Sequence, residues 1–492
     1  MTDAPLTPQT GNRWLIAIMG TLLQLCLGTV YAWSYFQDPL SKTYGWTNTQ
    51  VMVAFSLAIC FLGLAAAWGG INLAKYGPRK LAMIGGTLFG LGYLLGAAGL
   101  YWHNLWVLWI GYGVIGGIGL GLGYVTPVAT AAKWFPDKKG LVTGMVIMGF
   151  GFGALLMSKV LAPVLLAFTK SADSPAGRYD LLFAMLGAMF LIVTPIVAAF
   201  LKNPPAGYVP AGYSPSVTAS AANSLSDVKH RSLWCIFSGR FTAMWVVFFC
   251  NIAAGISIIS LQSPMIQDLY RKTMGAALAG MTEAEAVKFL AGYGATLVAI
   301  SSLFNGAGRF FWGGLSDRIG RVQAFRIMLV TQIAAFAALM FVGNPWVFGA
   351  LICYILLCYG GGFGTMPSFV TDVFGPKMMA VVYGVILTAW SAAGVVGPQL
   401  FAKIKDGIAS FTALGATDQW YSGAILWMEQ MRASAGCDAK AWYSFVVAAA
   451  FLLLGLICSL LFLSNTPFRC GRAQHAPNCN APCLAAETSS QG

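Results

Sequence analysis

The tightest constraint on this chain is a repeated one: apolar runs of about twenty residues, enough to cross a hydrocarbon core as a helix, recur along nearly its whole length. Lipid offers no water to backbone N–H and C=O groups, so each run must satisfy them internally and is a helix rather than a strand. Only 9% of the residues are charged and 58% are hydrophobic, whereas soluble domains carry about a quarter charged residues. Spans are expected at about 14–36, 51–73, 81–101, 105–131, 141–168, 181–201, 241–267, 289–313, 324–343, 346–371, 379–402 and 442–464, with ends placed to within about four residues. The first run has no small-residue cleavage site and exceeds a signal-peptide core, so it is expected to remain as a span.

A net charge of +13 would by itself fit a nucleic-acid partner, but its distribution gives it a different meaning. With Arg326, at the start of the ninth span, counted with the loop before it, the N-terminus, the even-to-odd loops and the C-terminal tail hold 17 Lys/Arg and 6 Asp/Glu, while the opposite side holds 10 of each. That bias is the positive-inside pattern and places both termini in the cytoplasm; no nucleic-acid partner is needed. Of the eleven cysteines only Cys437 falls in an outer loop, which excludes an extracellular disulfide framework. Cys26, Cys60, Cys250, Cys353, Cys358 and Cys458 fall within spans, where they serve as small apolar filler. Cys470, Cys479, Cys483 and His475 match no zinc spacing, so neither a metal nor a cofactor is expected.

The chain divides into an N-terminal half (1–201), a linker (202–240), a C-terminal half (241–465) and a tail (466–492) expected to be disordered. The linker is rich in proline (Pro204, Pro205, Pro210, Pro215) before turning polar at Lys229, His230 and Arg231, as a cytoplasmic connector should be. The halves resemble one another. Gly70-x-x-x-Ala74-Lys75-Tyr76-Gly77-Pro78-Arg79 comes after the second span, and Gly313-x-x-x-Asp317-Arg318-Ile319-Gly320-Arg321 comes after the eighth. Pro127 precedes Trp134-Phe135-Pro136 just as Pro367 precedes Phe374-Gly375-Pro376. Two matches at similar offsets argue for internal duplication: an all-α membrane protein of twelve transmembrane helices in two pseudo-symmetric six-helix bundles. The long outer loops, 268–288 and 403–441 with Trp420 and Trp427, are expected to fold as short helices over the outer mouth.

Assigning the remaining charges to loops leaves Lys159 in the fifth span and Arg309 in the eighth as the buried cations, with no acid and no histidine beside them. A buried arginine costs roughly 3 kcal/mol or more and so faces a bundle interior or an aqueous cavity. With no intramembrane carboxylate to pair with, its partner is an anionic substrate, whose carboxylate a guanidinium fork matches. Asn305 and Ser301 lie one and two turns before it on the same face. The plainer reading is snorkelling: Arg309 is about 12 Å along the axis from Asp317, and a long side chain can reach water. Lys159, about 16 Å from Lys170, snorkels more readily.

Polar and aromatic stripes at helical spacing include Gln24, Gly28, Tyr31 and Tyr35; Asn251, Gly255 and Gln262; and Tyr383 with Trp390. Tyr124 and Tyr359 accompany glycine-rich stretches. Any one tyrosine serves equally as an interfacial anchor; together they suit a cavity for a small anion. The glycine runs Gly116–Gly123 and Gly149–Gly153 lack the strand–turn–helix setting of a nucleotide loop and read as close helix packing. No metalloprotease, nucleophile-elbow or phosphate-loop motif is present, which argues against an enzyme. A channel would show rings of charge or filter carbonyls.

The stretch Gly313 to Arg321 resembles the loop motif G-x-x-x-D-R-x-G-R of the major facilitator superfamily, and the resemblance assigns Gly313, Asp317, Arg318, Gly320 and Arg321 to a gating loop. The N-terminal copy departs from it with Ala74 in place of the acid. Tyr31-Ala32-Trp33-Ser34, the stretch from Gly119 through Trp134-Phe135-Pro136-Asp137 to Gly153, and Tyr359-Gly360-Gly361-Gly362-Phe363-Gly364-Thr365-Met366-Pro367 are similar to the oxalate/formate antiporter family, which is related to monocarboxylate transporters. The resemblance implies a major facilitator fold and substrate contacts at Arg309 and Asn305, with Tyr31, Tyr35, Tyr124, Tyr359, Trp390 and Lys159 as further candidates. Oxalate exchangers also use a lysine in the eleventh span, which here has no charge from Ala380 to Ala402. Many monocarboxylate carriers place an Asp where this chain has Asn305. The expected activity is secondary transport of small carboxylates, favouring lactate, pyruvate or formate, coupled to protons or run as anion exchange. The alternative is a dianion exchanger using Lys159 as its second charge. The chain is expected to act as a monomer in a bacterial plasma membrane.

Overall fold

The structure, a computed structural model, describes residues 12–137, 139–170, 177–205, 208–210, 235–375, 378–414 and 439–464. Among these, twelve helices are long and apolar enough to cross a bilayer: α1 (Arg13–Tyr44), α2 (Asn48–Tyr76), α3 (Pro78–Tyr101), α4 (Leu105–Trp134), α5 (Val142–Phe168), α6 (Tyr179–Ala198), α7 (Gly239–Thr273), α8 (Glu285–Ile319), α9 (Arg321–Leu339), α10 (Pro345–Phe374), α11 (Met379–Ile404) and α12 (Ala441–Phe462). Cys437, Trp420, Trp427, His230, His475 and the tail cysteines, with the expectations attached to them, lie outside the described residues, as does most of the linker.

Polar caps set where the helices start. Asn12, Asn104 and Asn344 each accept two backbone N–H groups, at the starts of α1, α4 and α10. Thr47 with Gln50, and Thr282 with Glu285, form reciprocal capping boxes at the starts of α2 and α8. Each satisfies donors that the first helical turn leaves unpaired.

Several helices outrun the expected spans. α1 continues to Tyr44 and α7 to Thr273, the α8 helix begins at Glu283 and ends at Ile319, and the α11 helix runs on to Leu414. Most of the expected outer loop 268–288 is therefore helix, with one short turn at Gly275–Leu278 between. Hydropathy marks only the lipid-crossing part of a helix, whereas caps decide where it stops. Asp38, Asp180 and Asp268 consequently sit inside helices, within two turns of an end, and Asp180 pairs with Arg178 at 2.6 Å. Arg326, near the start of the expected ninth span, lies inside α9 and donates from Nε and Nη2 to Oγ and the carbonyl of Ser459 on α12, at 3.3 and 3.0 Å.

The packing repeats with a shift of six helices. In the first half α1 packs on α5, α2 on α4, and α3 on both α4 and α6; in the second α7 packs on α11, α8 on α10, and α9 on both α10 and α12. Between the halves α2 meets α11, α5 meets α8, and α1 meets α7, a set that maps onto itself under the same shift. The joints match too. Gly77 (φ 76°, ψ 160°) ends α2, and Gly320 (φ 88°, ψ 149°) ends α8. The expected gating stretch is thus helix through Ile319, and the turn is Gly320 alone.

That backbone region is essentially closed to any residue with a Cβ. Gly320→Ala is expected to lower thermal stability in detergent by about 1–3 kcal/mol. A Cβ at Gly144, within α5, meets nothing within 4 Å, so Gly144→Ala should be neutral or stabilising by roughly 0.5–1 kcal/mol.

Candidate functional site

Breaks in helical geometry assemble the centre of the bundle. Residues Gly28–Ala32 of α1 wind as a 3₁₀ turn, whose three residues per turn rotate the next stretch of the helix out of the α-helical phase. Tyr31 and Tyr35, expected on one stripe, separate as a result. The Tyr31 hydroxyl lies 2.6 Å from that of Tyr359 on α10, a hydrogen bond joining the two halves. Tyr35 is half-buried with its ring 5.1 Å from that of Phe36, outside the cluster around Tyr31. A Cβ on Gly28 would strike the Phe150 carbonyl; this close approach of α1 and α5 sets the Phe150 ring edge-on to Tyr31 at 5.0 Å. α11 is interrupted at Leu387, and just beyond it Trp390 packs against Phe363 at 4.6 Å, Tyr124 at 5.2 Å and Phe150 at 5.7 Å.

Ser301, Asn305 and Arg309 share a face of α8 at successive turns. Gly360 and Gly364 of α10 let that helix in: a Cβ on either would overlap the carbonyl oxygen of Asn305 or of Arg309. Arg309 is 1% exposed. Its Nη1 donates to the Ile147 carbonyl of α5 at 2.9 Å, and its guanidinium carbon sits 5.6 Å from the Phe150 ring and 5.0 Å from that of Phe363. Among the described residues, Nε and Nη2 make no hydrogen bond of good geometry, nor do the hydroxyls of Tyr124 and Tyr383, Nε1 of Trp390 or Oδ1 of Asn305; the Tyr124 hydroxyl lies in looser polar contact with the guanidinium and with Tyr383, and Trp390 with Tyr359. Electrostatic interactions tie the guanidinium to the hydroxyls of Tyr31, Tyr124, Tyr359 and Tyr383. Among the described residues no carboxylate pairs with it.

The engaged and unengaged donors decide the chemistry. Nη1 is occupied, and Nε with Nη2 forms one edge of the fork, two parallel N–H bonds that match a single carboxylate. Two aromatic faces and a set of neutral donors complete the surroundings. The centre is sealed: the space beside Asn305 is a cavity of about 10 Å³, room for one water-sized group. A larger cavity of about 870 Å³ lies at the face of the bundle opposite the termini, between the ends of α1, α7, α9 and α12.

The other sequence candidates sit elsewhere. Lys159 lies in a π-helical stretch of α5, Met157–Leu161. It is exposed, and its Nζ donates to Thr296 Oγ1 of α8 at 2.7 Å, bridging the halves away from Arg309. Arg321 pairs with Asp317 and with Asp372 on α10, the latter at 2.9 Å; Arg318 is exposed beside it, and Gly313 faces α10 near Gly364. Gln24 donates to the Tyr124 carbonyl at 3.0 Å, bracing α4 rather than facing the arginine. Sequence reasoning missed Phe150, Phe363 and the Ile147 carbonyl. The one available signal was the alternation Gly149-Phe150-Gly151-Phe152-Gly153, read as packing alone.

Twelve spans in two halves of like packing around a buried arginine with free donors form the build of a secondary transporter. The chain belongs to the Major Facilitator Superfamily, whose profile matches residues 14–398. It is similar to the oxalate:formate antiporter of Oxalobacter formigenes, 26% identical over 407 residues, covering 82% of this chain and 87% of that protein. It is also similar to apicoplast pyruvate carrier 1 of Toxoplasma gondii, 28% identical over 81% of this chain and 85% of that protein. Its fold matches the crystal structure of a bacterial homolog of the human lysosomal transporter Spinster, with a TM-score of 0.60 at 16% identity over 92% of this chain and 98% of that one.

Because α8 rests on α10 through glycine, Gly364→Ala must push the backbone of Arg309 outward. A loss of about 1–3 kcal/mol in stability is expected from such overpacking, read as a lower melting temperature in detergent. Gly349→Ala on the same helix, whose Cβ meets only Leu297 at 3.7 Å, should leave it unchanged.

Proposed function

We propose that this chain is a secondary active transporter of small carboxylate anions, with Arg309 as the group that holds the carboxylate. The observation that carries the reading is the half-satisfied guanidinium: a fully buried cation with one engaged donor, one free two-donor edge and no acid beside it among the described residues. Leaving such donors unpaired is costly, and an anionic group arriving at Nε and Nη2 removes that cost while gaining a bidentate pair. The related oxalate:formate antiporter and pyruvate carrier support the substrate class.

Monocarboxylates such as lactate, pyruvate or formate fit better than dianions. A dianion needs a second cation, and Lys159 is exposed and engaged with Thr296, while the charge in α11 is Lys403, exposed at its end. Transport proceeds by alternating access: the halves rock about the midplane, breaking and remaking the Tyr31–Tyr359 bond, while Tyr124 and Trp390 close over the bound anion. None of the described acids lines the centre, so protons travel on the substrate itself or the cycle runs as anion exchange. The chain works as a monomer in a plasma membrane, a bacterial inner membrane, with both termini cytoplasmic.

The test is uptake of radiolabelled lactate and oxalate into proteoliposomes. Arg309→Ala should lower initial rates by about a hundredfold or more, and Arg309→Lys should recover little of that because a point charge lacks the fork. Undiminished uptake by Arg309→Ala would refute the assignment. An imposed pH gradient without internal anion separates the couplings: proton symport responds to the gradient, and exchange responds only to preloaded anion.

A further inference from the structure

The turn that joins α2 to α3 carries positive charge for which its surroundings supply no acid. Lys75, Arg79 and Lys80 fall within six consecutive positions around Gly77, and all three are exposed. Between Asp38 and Asp137 the sequence contains no acid at all. Asp137 is itself taken by Arg13 at 2.9 Å. None of the ion pairs among the described residues includes Lys75, Arg79 or Lys80.

The matching turn of the second half is built the other way, with Arg321 held by Asp317 and Asp372. In the first half Pro78 follows the turn glycine where Arg321 does, and Ala74 stands for Asp317. Ala132, two residues before Trp134 as Asp372 is two before Phe374, stands for the second acid. The internal clasp is gone, and the cations of the turn are left facing outward.

The surface beside these cations is shaped for lipid. Leu64, Trp68 and Tyr76 recur at multiples of four residues along one face of α2, and their exposures run from 41% to 49%. Trp68 and Tyr76 lie about 12 Å apart along the axis, yet their rings stack at 5.8 Å with planes 23° apart. Asn72, between them, turns its amide back to the Trp68 carbonyl at 2.9 Å. Lys75 Nζ lies 5.3 Å from the centre of the Tyr76 ring. From the middle of α2 toward its end the face thus runs aliphatic, aromatic and cationic, the order of acyl chain, interface and phosphate in a bilayer leaflet. A free phosphate ion meets the last of these layers alone.

We infer that the α2–α3 turn is a docking site for an anionic phospholipid of the leaflet on the side of the termini. The headgroup phosphate sits among Lys75, Arg79 and Lys80, and an acyl chain lies along Trp68 and Leu64. The site selects net charge: a zwitterionic lipid brings its own ammonium, whereas phosphatidylglycerol leaves the phosphate charge uncancelled. It is independent of what Arg309 carries.

The experiment reads Trp68 fluorescence in the full chain, reconstituted in phosphatidylcholine vesicles with a minor fraction of either brominated phosphatidylglycerol or brominated phosphatidylcholine, bromine being a contact quencher. The Trp68 signal is the difference between wild type and Trp68→Phe. Its relative association constant should favour phosphatidylglycerol by roughly threefold or more at low salt and fall toward one as salt screens the cations. Combining Lys75→Gln, Arg79→Gln and Lys80→Gln should bring the ratio to about one. Ala74→Asp, which places the acid of the second half among the three cations, should lower it as well, while Ala74→Asn and Arg318→Gln keep the wild-type ratio. If the triple variant inserts poorly, the contrast between Ala74→Asp and Ala74→Asn, both at an exposed position, decides the matter. Equal quenching by the two lipids in wild type overturns the proposal, because another occupant or none then covers the turn. A preference that survives the triple substitution or Ala74→Asp also overturns it, since it then comes from the charge of the whole face.

Discussion

A guanidinium cannot leave its charge behind when it enters a membrane protein, so everything near Arg309 is arranged around keeping it buried. Isolated in hydrocarbon, such a group costs several kcal/mol. Here the Ile147 carbonyl takes one donor, two phenyl faces take up part of the charge, and a shell of tyrosine hydroxyls supplies dipoles. None of these cancels the charge as a carboxylate would. The charge is left only partly compensated, and that partial solvation gives the helix that carries it enough stability to exist.

The supporting shell comes from both halves. Ile147 and Phe150 belong to α5, Phe363 to α10 and Arg309 to α8, so the arginine is solvated only while α5 and α8 remain in contact. Glycine makes that contact close, since a Cβ on Gly151 would lie 2.6 Å from the Gly306 Cα across the interface. The Tyr31–Tyr359 bond and the Lys159–Thr296 bond cross the same divide. Separating the halves therefore exposes the charge and breaks these bonds together, which couples the electrostatics of the site to the motion of the bundle.

Much of this was legible in the sequence, and the rest was hidden for identifiable reasons. Hydropathy located all twelve spans because lipid imposes one rule on every helix. The duplicated Gly77 and Gly320 motifs foretold the repeat, since a backbone that only glycine tolerates marks the same joint in both halves. Arg309 stood out because a lone buried cation is rare. Helix ends were misjudged where capping residues, rather than hydropathy, decide them, as at Thr282 and at Gly45, whose left-handed backbone (φ 68°) ends α1. The separation of Tyr35 from Tyr31 was invisible, because a 3₁₀ turn changes the period on which stripe reasoning depends. Phe150 and Phe363 were missed because nothing in a phenylalanine distinguishes a wall around a cation from ordinary packing.

Symmetry of backbone is not symmetry of charge. At the face bearing the termini, the second half ties three helices through Arg321 to Asp317 and Asp372. The first half has Ala74 where that acid would stand, and instead joins Arg13 at the start of α1 to Asp137 beyond the end of α4 at 2.9 Å. Two halves with the same packing are thus clasped by different ionic hinges, one within a helix hairpin and one between distant ends of its half. The two halves therefore hold the same face closed with ionic pairs of different make-up, and added salt weakens each of them by an amount set by its own exposure.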